Sequence, residues 1–77
     1  MKIIAKLILA LEKIHADYKL TVSNDDWILW GNSGNMCSLG GLTKVSSHRN
    51  SVTLFLGGKL LIINKNEWKY EEAGNVR

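Results

Sequence analysis

Hydrophobic positions near the start of the chain recur at steps of three and four. Ile3, Ile4, Leu7, Ile8, Leu11, Ile14 and His15 fall on one stripe, with Lys2, Lys6, Leu9 and Lys13 opposite. That spacing predicts an amphipathic helix over the first sixteen residues, lying across a larger apolar surface. His15 at the stripe's edge reads as a partly buried residue near the helix C-terminus, where its charge is tolerated. After Asp17 the period becomes two: Tyr18, Leu20 and Val22 alternate with Lys19, Thr21 and Ser23. This predicts a strand with one apolar face. Asn24-Asp25-Asp26 is a turn, and Trp27 to Trp30 completes a hairpin in which Trp27 and Leu29 face one way and Ile28 and Trp30 the other. One of these tryptophans therefore lies outside the core.

Gly31-Asn32-Ser33-Gly34-Asn35 is a turn cluster and the most exposed segment expected. Short strands are expected at Met36 to Leu39 and Leu42 to Ser46, with Gly40-Gly41 marking a bulge or a corner between them. Ser47 to Asn50 turns the chain into Ser51 to Asn64, SVTLFLGGKLLIIN, a hairpin closed by Gly57-Gly58. Pairing Leu56 with Lys59 puts Val52, Leu54, Leu56, Leu61 and Ile63 on one face and Phe55, Leu60 and Ile62 on the other. Both faces are apolar, so both need a cover. Lys65-Asn66-Glu67 then turns into a last strand, Trp68 to Glu71.

These elements predict an α+β domain: an N-terminal helix packed on a twisted antiparallel sheet of five or six strands, with the Val52 to Ile63 hairpin at its centre. The alternative is a helix with the sheet curled into a small β-barrel. One domain spans 1–72, and 73–77 is a tail that frays.

The chain has 77 residues, near the lower limit for a core without disulfide or metal. Hydrophobic residues at 45% and charged residues at 22% exclude disorder over most of it. A net charge of +3 allows a polyanionic partner and also serves solubility alone. Cys37 is the only cysteine, which fits a reducing compartment, so cytoplasmic location is expected. Lys6 and Glu12-Lys13 interrupt the apolar start, against a signal peptide, and no run reaches the length of a membrane span.

Candidate chemistry is sparse. Cys37 and His48 occur in no nucleophile motif, and a zinc site from Cys37, His15 and His48 would lack both a paired motif and a fourth ligand. Asp25-Asp26 and Glu71-Glu72 read as turn and solvated strand-end residues. Gly31-Asn32-Ser33-Gly34 matches the GXXG string of the KH nucleic-acid domain, but that loop joins two helices and this one follows a strand. No catalytic, cofactor, metal or small-molecule site is therefore expected. The leading expectation is a non-enzymatic protein-binding module, self-associating (a homodimer, for instance) or docking on a larger protein. Its contacts would be Trp30, Asn32, Arg49, Trp68 and Tyr70, aromatic and Arg anchors beside exposed turns. The alternative is weak nucleic-acid binding by a basic, aromatic sheet surface of Lys59, Lys65, Lys69, Trp68 and Tyr70.

Three resemblances bear on these expectations. A helix followed by strands resembles, in element order, the Sm-like RNA-binding layout, whose members assemble into rings. The family's Gly and Asp-x-x-x-Asn pattern is not found here, so no binding residues carry over. The run GGKLLIINKNEW, Gly57 to Trp68, resembles a Gly-x-Leu-x-Ile turn-and-strand in a β-rich family linked to spore formation in bacteria. In size and shape the chain resembles inhibitors that phages and other mobile elements encode against host or defence proteins, anti-CRISPR proteins among them.

Overall fold

The computed structural model describes residues 2–72; the tail expected to fray, 73–77, lies outside them. Helix α1 (Lys2–Lys13) is followed by β1 (Lys19–Ser23), β2 (Asp26–Trp30), a 3-10 turn (Asn32–Gly34), β3 (Met36–Ser38), β4 (Leu42–Ser47), β5 (Val52–Leu56), β6 (Lys59–Asn64) and β7 (Glu67–Glu72). The α+β class is as expected. The single sheet of five or six strands is not: seven strands form two antiparallel sheets, β1-β2-β3 and β4-β5-β6-β7. Among the described residues the ladders of the two sheets are not continuous, so no hydrogen-bonded barrel closes.

The split occurs at Gly40-Gly41. The Leu39 N–H still donates to the Trp27 carbonyl (2.8 Å), and the Leu42 N–H donates back to the Leu39 carbonyl (3.1 Å), which closes a turn. Gly40 lies so close to Asp26 that a Cβ there would stand 3.0 Å from its carboxylate. That carboxylate also accepts from the Ser38 hydroxyl (2.7 Å), tying the corner to the end of β3. A register shift between Leu42 and Lys44 then swings the chain into the second sheet. The double glycine is a corner, and the bulge lies just after it.

The β5–β6 hairpin has the register read from the sequence, with Leu56 opposite Lys59 and Val52 opposite Ile63. Val52, Leu54, Leu56, Leu61 and Ile63 are all buried on the inner face, where they meet Ile4, Leu7, Leu11 and Ile14 of the helix region and Leu29, Cys37 and Leu39 from the smaller sheet. The inner cover is thus a helix and a second sheet together. Among the described residues the outer face has no comparable layer. Phe55 and Ile62 are half-buried and Leu60 is 7% exposed. Neighbouring polar side chains shelter them instead: the Lys44 ammonium stands 5.2 Å from the Phe55 ring centroid, and Lys69 pairs with Glu71 at 3.8 Å. Long cationic side chains cover apolar area with their stems while their charges stay in water. The second face, expected to need a barrel or a partner, is largely closed by its own edge strands.

The helix stripe holds for Ile4, Leu7, Ala10 and Leu11, which are buried. This apolar stripe is consumed by the core, and no helix among the described residues is long and apolar enough to cross a membrane. The helix is shorter than expected because it ends in a Schellman motif. The Ala16 N–H donates to the Leu11 carbonyl (3.0 Å) and the His15 N–H to the Glu12 carbonyl (3.1 Å), with His15 left-handed at φ 57°. This geometry turns His15 outward, so the expected partial burial is corrected: His15 is exposed, and Ile14 ends the stripe. Asp26, expected in the turn, opens β2; the β1–β2 turn needs only Asn24 and Asp25, both at positive φ.

At Gly57-Gly58 only Gly57 is left-handed (φ 63°), the pattern of a II′ turn, in which the first central residue alone requires it. Neither glycine has another atom within 4 Å of where a Cβ would stand. Gly57→Ala should therefore cost about 1–2 kcal/mol through backbone strain, and Gly58→Ala should be near neutral. Urea denaturation of the two variants measures the difference, and equal costs would contradict the II′ assignment.

Candidate functional site

Register sorts the residues of the smaller sheet onto two faces. Leu20, Leu29 and Cys37 share the inner face, while Lys19, Trp30 and Met36 form one outer row and Thr21, Ile28 and Ser38 the next. The Trp30 indole N–H donates to the Thr21 hydroxyl at 2.8 Å, a diagonal cross-strand bond that fixes the ring across the sheet surface. With its one polar group satisfied, the indole offers only its apolar face and edge. Met36 beside it is 55% exposed and Ile28 is half-buried. None of these three belongs to the core or packs against it.

Alongside Trp30 runs a cleft of about 460 Å³ lined by Asp17, Tyr18, Lys19, Thr21, Trp30, Gly31 and Asn32. Its far wall is set by Tyr18, whose hydroxyl donates to Glu12 at 2.7 Å and so ties the strand entry to the helix. The Asn32 side-chain carbonyl accepts from the Ser33 N–H at 3.0 Å, which shapes the turn at the cleft's end. Gly31, between Trp30 and Asn32, is required by space. A Cβ there would lie 2.6 Å from the Trp68 ring, so the indole of β7 stacks directly against the β2 exit and supports the cleft from behind.

Two of the five expected protein contacts, Trp30 and Asn32, therefore share one cleft. Trp68 lies behind it, packed against the core. Tyr70 shares the face of Trp68, its ring 4.7 Å from the Lys59 ammonium. Arg49 stands exposed in the β4–β5 turn, and among the described residues no hydrogen bond or ion pair joins it to the cleft. Sequence reasoning missed Tyr18, Thr21 and Met36. The period-two pattern of β1 already put Thr21 on the outer face, but the cross-strand pairing of Trp30 with Met36 needed the β2–β3 register.

The basic, aromatic set is only partly together: Lys59 stands beside Tyr70, on the face of Trp68. Lys59 and Lys65 stand at opposite ends of β6, about 20 Å apart along the strand. Lys69 points to the opposite face from Trp68 and Tyr70 and is paired with Glu71. Cys37 is buried, and its thiol donates to the Ser38 carbonyl at 3.4 Å. His48 engages the Ser46 hydroxyl at 3.3 Å. Among the described residues no three His, Cys, Asp or Glu side chains converge as metal ligands. The chain matches no protein-family model, no curated protein and no solved structure.

Burial holds the Cys37 thiol above its ordinary value of 9.0, outweighing the opposing effects of Tyr70 and Lys59. Tyr70 is raised above 10.0 by burial first and by the neighbouring Cys37 second. Tyr18 is raised by its hydrogen bond to Glu12 and then by burial. All three groups hold their protons more tightly folded than unfolded. Their contribution is complete below the unfolded values and is lost as pH rises through the folded ones. Stability should thus be flat through neutral pH and fall above about pH 9, first through Cys37 and then through Tyr18 and Tyr70. Urea midpoints measured from neutral to strongly alkaline pH test this, and stability that rose over the alkaline range would contradict it.

Proposed function

We propose that this chain is a non-enzymatic protein-binding module, self-associating or docking on a larger protein, whose contact surface is the outer face of β1–β3 centred on Trp30. One observation carries the reading: Trp30, Ile28 and Met36 form an apolar surface beside a cleft, outside the core that the rest of the chain buries. An indole already fixed by Thr21 loses little freedom on binding, and Trp in such a setting is a frequent anchor of protein interfaces. Methionine beside it supplies a surface that adapts to a partner's shape. The polar rim of Lys19, Thr21, Ser38 and Asn32 gives orientation.

The non-enzymatic part of the reading is supported by Cys37, whose buried, protonated thiol is a poor nucleophile. Size and layout extend the reading to the small inhibitors of phages and mobile elements, which act by occupying a surface of a host or defence protein. The reducing compartment that a lone cysteine suits is the cytoplasm. The nucleic-acid alternative has less support because, although Lys59 stands beside Tyr70, Lys69 faces away from Trp68 and Tyr70 and Lys65 lies at the far end of β6.

The pair Trp30→Ala and Met36→Ser tests the proposal against the triple exchange of Lys59, Lys65 and Lys69 to Gln. Self-association followed by light scattering, or affinity for a captured protein, should fall about thirtyfold in the first, about 2 kcal/mol. It should persist in the second. Association undiminished in the Trp30 and Met36 variant would overturn the assignment of this face. Salt-sensitive binding to single-stranded DNA that only the lysine variant abolishes would favour the alternative.

A further inference from the structure

A second surface, on the exposed side of α1, has a different chemistry. Lys2, Lys6, Leu9 and Lys13 follow one another at steps of four, three and four along α1. At 100° per residue they form one straight ridge about 16 Å long. All four are exposed, and Leu9 is 72% exposed. Because Ile4, Leu7, Ala10 and Leu11 are locked into the core, the ridge points directly away from it.

The charged residues of the ridge are all lysines. The first turn of the helix contains no acid, so nothing offsets Lys2 at the positive end of the helix dipole. Glu12, the helix's single carboxylate, is drawn aside by the Tyr18 hydroxyl at 2.7 Å. Among the described residues none of the three lysines has an ion-pair partner.

We propose that this ridge docks the folded chain on an anionic lipid bilayer. The position of Leu9 chooses the bilayer over a nucleic acid. A phosphodiester backbone offers phosphates to the lysines but nothing to an isobutyl group between them. A bilayer surface offers anionic headgroups to the ammoniums and the acyl boundary beneath them to Leu9. Lysine stems are long enough to keep their charges at headgroup level while Leu9 enters. The attraction is about fivefold per lysine, about a hundredfold for three, and screened by salt. Docking is therefore weak and reversible, and the apolar stripe stays in the core. It needs neither Trp30 nor the cleft, so it stands or falls separately from the protein-binding surface.

Cosedimentation of the full chain with phosphatidylcholine vesicles containing about a third phosphatidylglycerol tests the proposal, with pure phosphatidylcholine vesicles as reference. Binding is expected to the anionic vesicles only and should weaken steeply with salt. Lys6→Gln should lower it about fivefold. Leu9→Ser, which leaves the charge unchanged, should also lower it several-fold, whereas Trp30→Ala should not. Both ridge positions are exposed, and unchanged circular dichroism and melting confirm that the variants remain folded. Failure to sediment with anionic vesicles at low salt would overturn the proposal. So would binding indifferent to Leu9→Ser, with single-stranded DNA competing the protein off the vesicles.

Discussion

The burial of one face of the β5–β6 hairpin is the constraint on which the rest of the molecule depends. Val52, Leu54, Leu61 and Ile63 are each no more than 1% exposed. Removing such side chains from water is worth about 2 kcal/mol apiece, a large share of the stability of so small a domain. A helix alone is too narrow to cover four strands, and the smaller sheet completes the cover by contributing Leu29, Cys37 and Leu39. Cys37 is thus a core residue at the junction of the two sheets, and its chemistry is that of a small hydrophobe.

Both proposed surfaces follow from that burial. Once Leu29 and Cys37 face the hairpin, alternation sends Ile28, Trp30 and Met36 to the outside. Once Leu7 and Leu11 face it, helical geometry sends Lys6, Leu9 and Lys13 to the opposite side. The Tyr18–Glu12 hydrogen bond links the two surfaces: it forms a wall of the cleft and removes the carboxylate that would interrupt the lysine ridge. The outer face of the larger sheet is a weaker candidate for contact, because Lys44, Lys69 and Glu71 already shelter Phe55, Leu60 and Ile62.

Local pattern made much of this legible. The hairpin register follows from a two-residue loop between apolar runs, and the helix stripe from its three- and four-residue spacing. The division into two sheets was not legible, since strand lengths do not say which ladder a strand joins. Gly40-Gly41 marked the place, but whether it is a bulge or a corner depends on Asp26, fourteen residues earlier. The basic platform was a grouping by nearness in sequence; alternation along EWKYEE already separates Lys69 from Trp68 and Tyr70. The stacking of Trp68 on Gly31 joins distant segments, and the only trace of it in the sequence is a glycine after a strand. The outward position of Trp30 and Asn32 was legible, from the alternation of β2 and from the turn cluster that follows it.

Amide hydrogen exchange of the native chain tests the central claim most directly. If the hairpin's inner face holds the fold together, the amides of β5 and the β6 residues paired with it should be the slowest to exchange, opening only with global unfolding. Those of β1, an edge strand of the smaller sheet, should exchange through cheaper local openings. Protection in β5 and β6 no greater than in β1 would contradict the account.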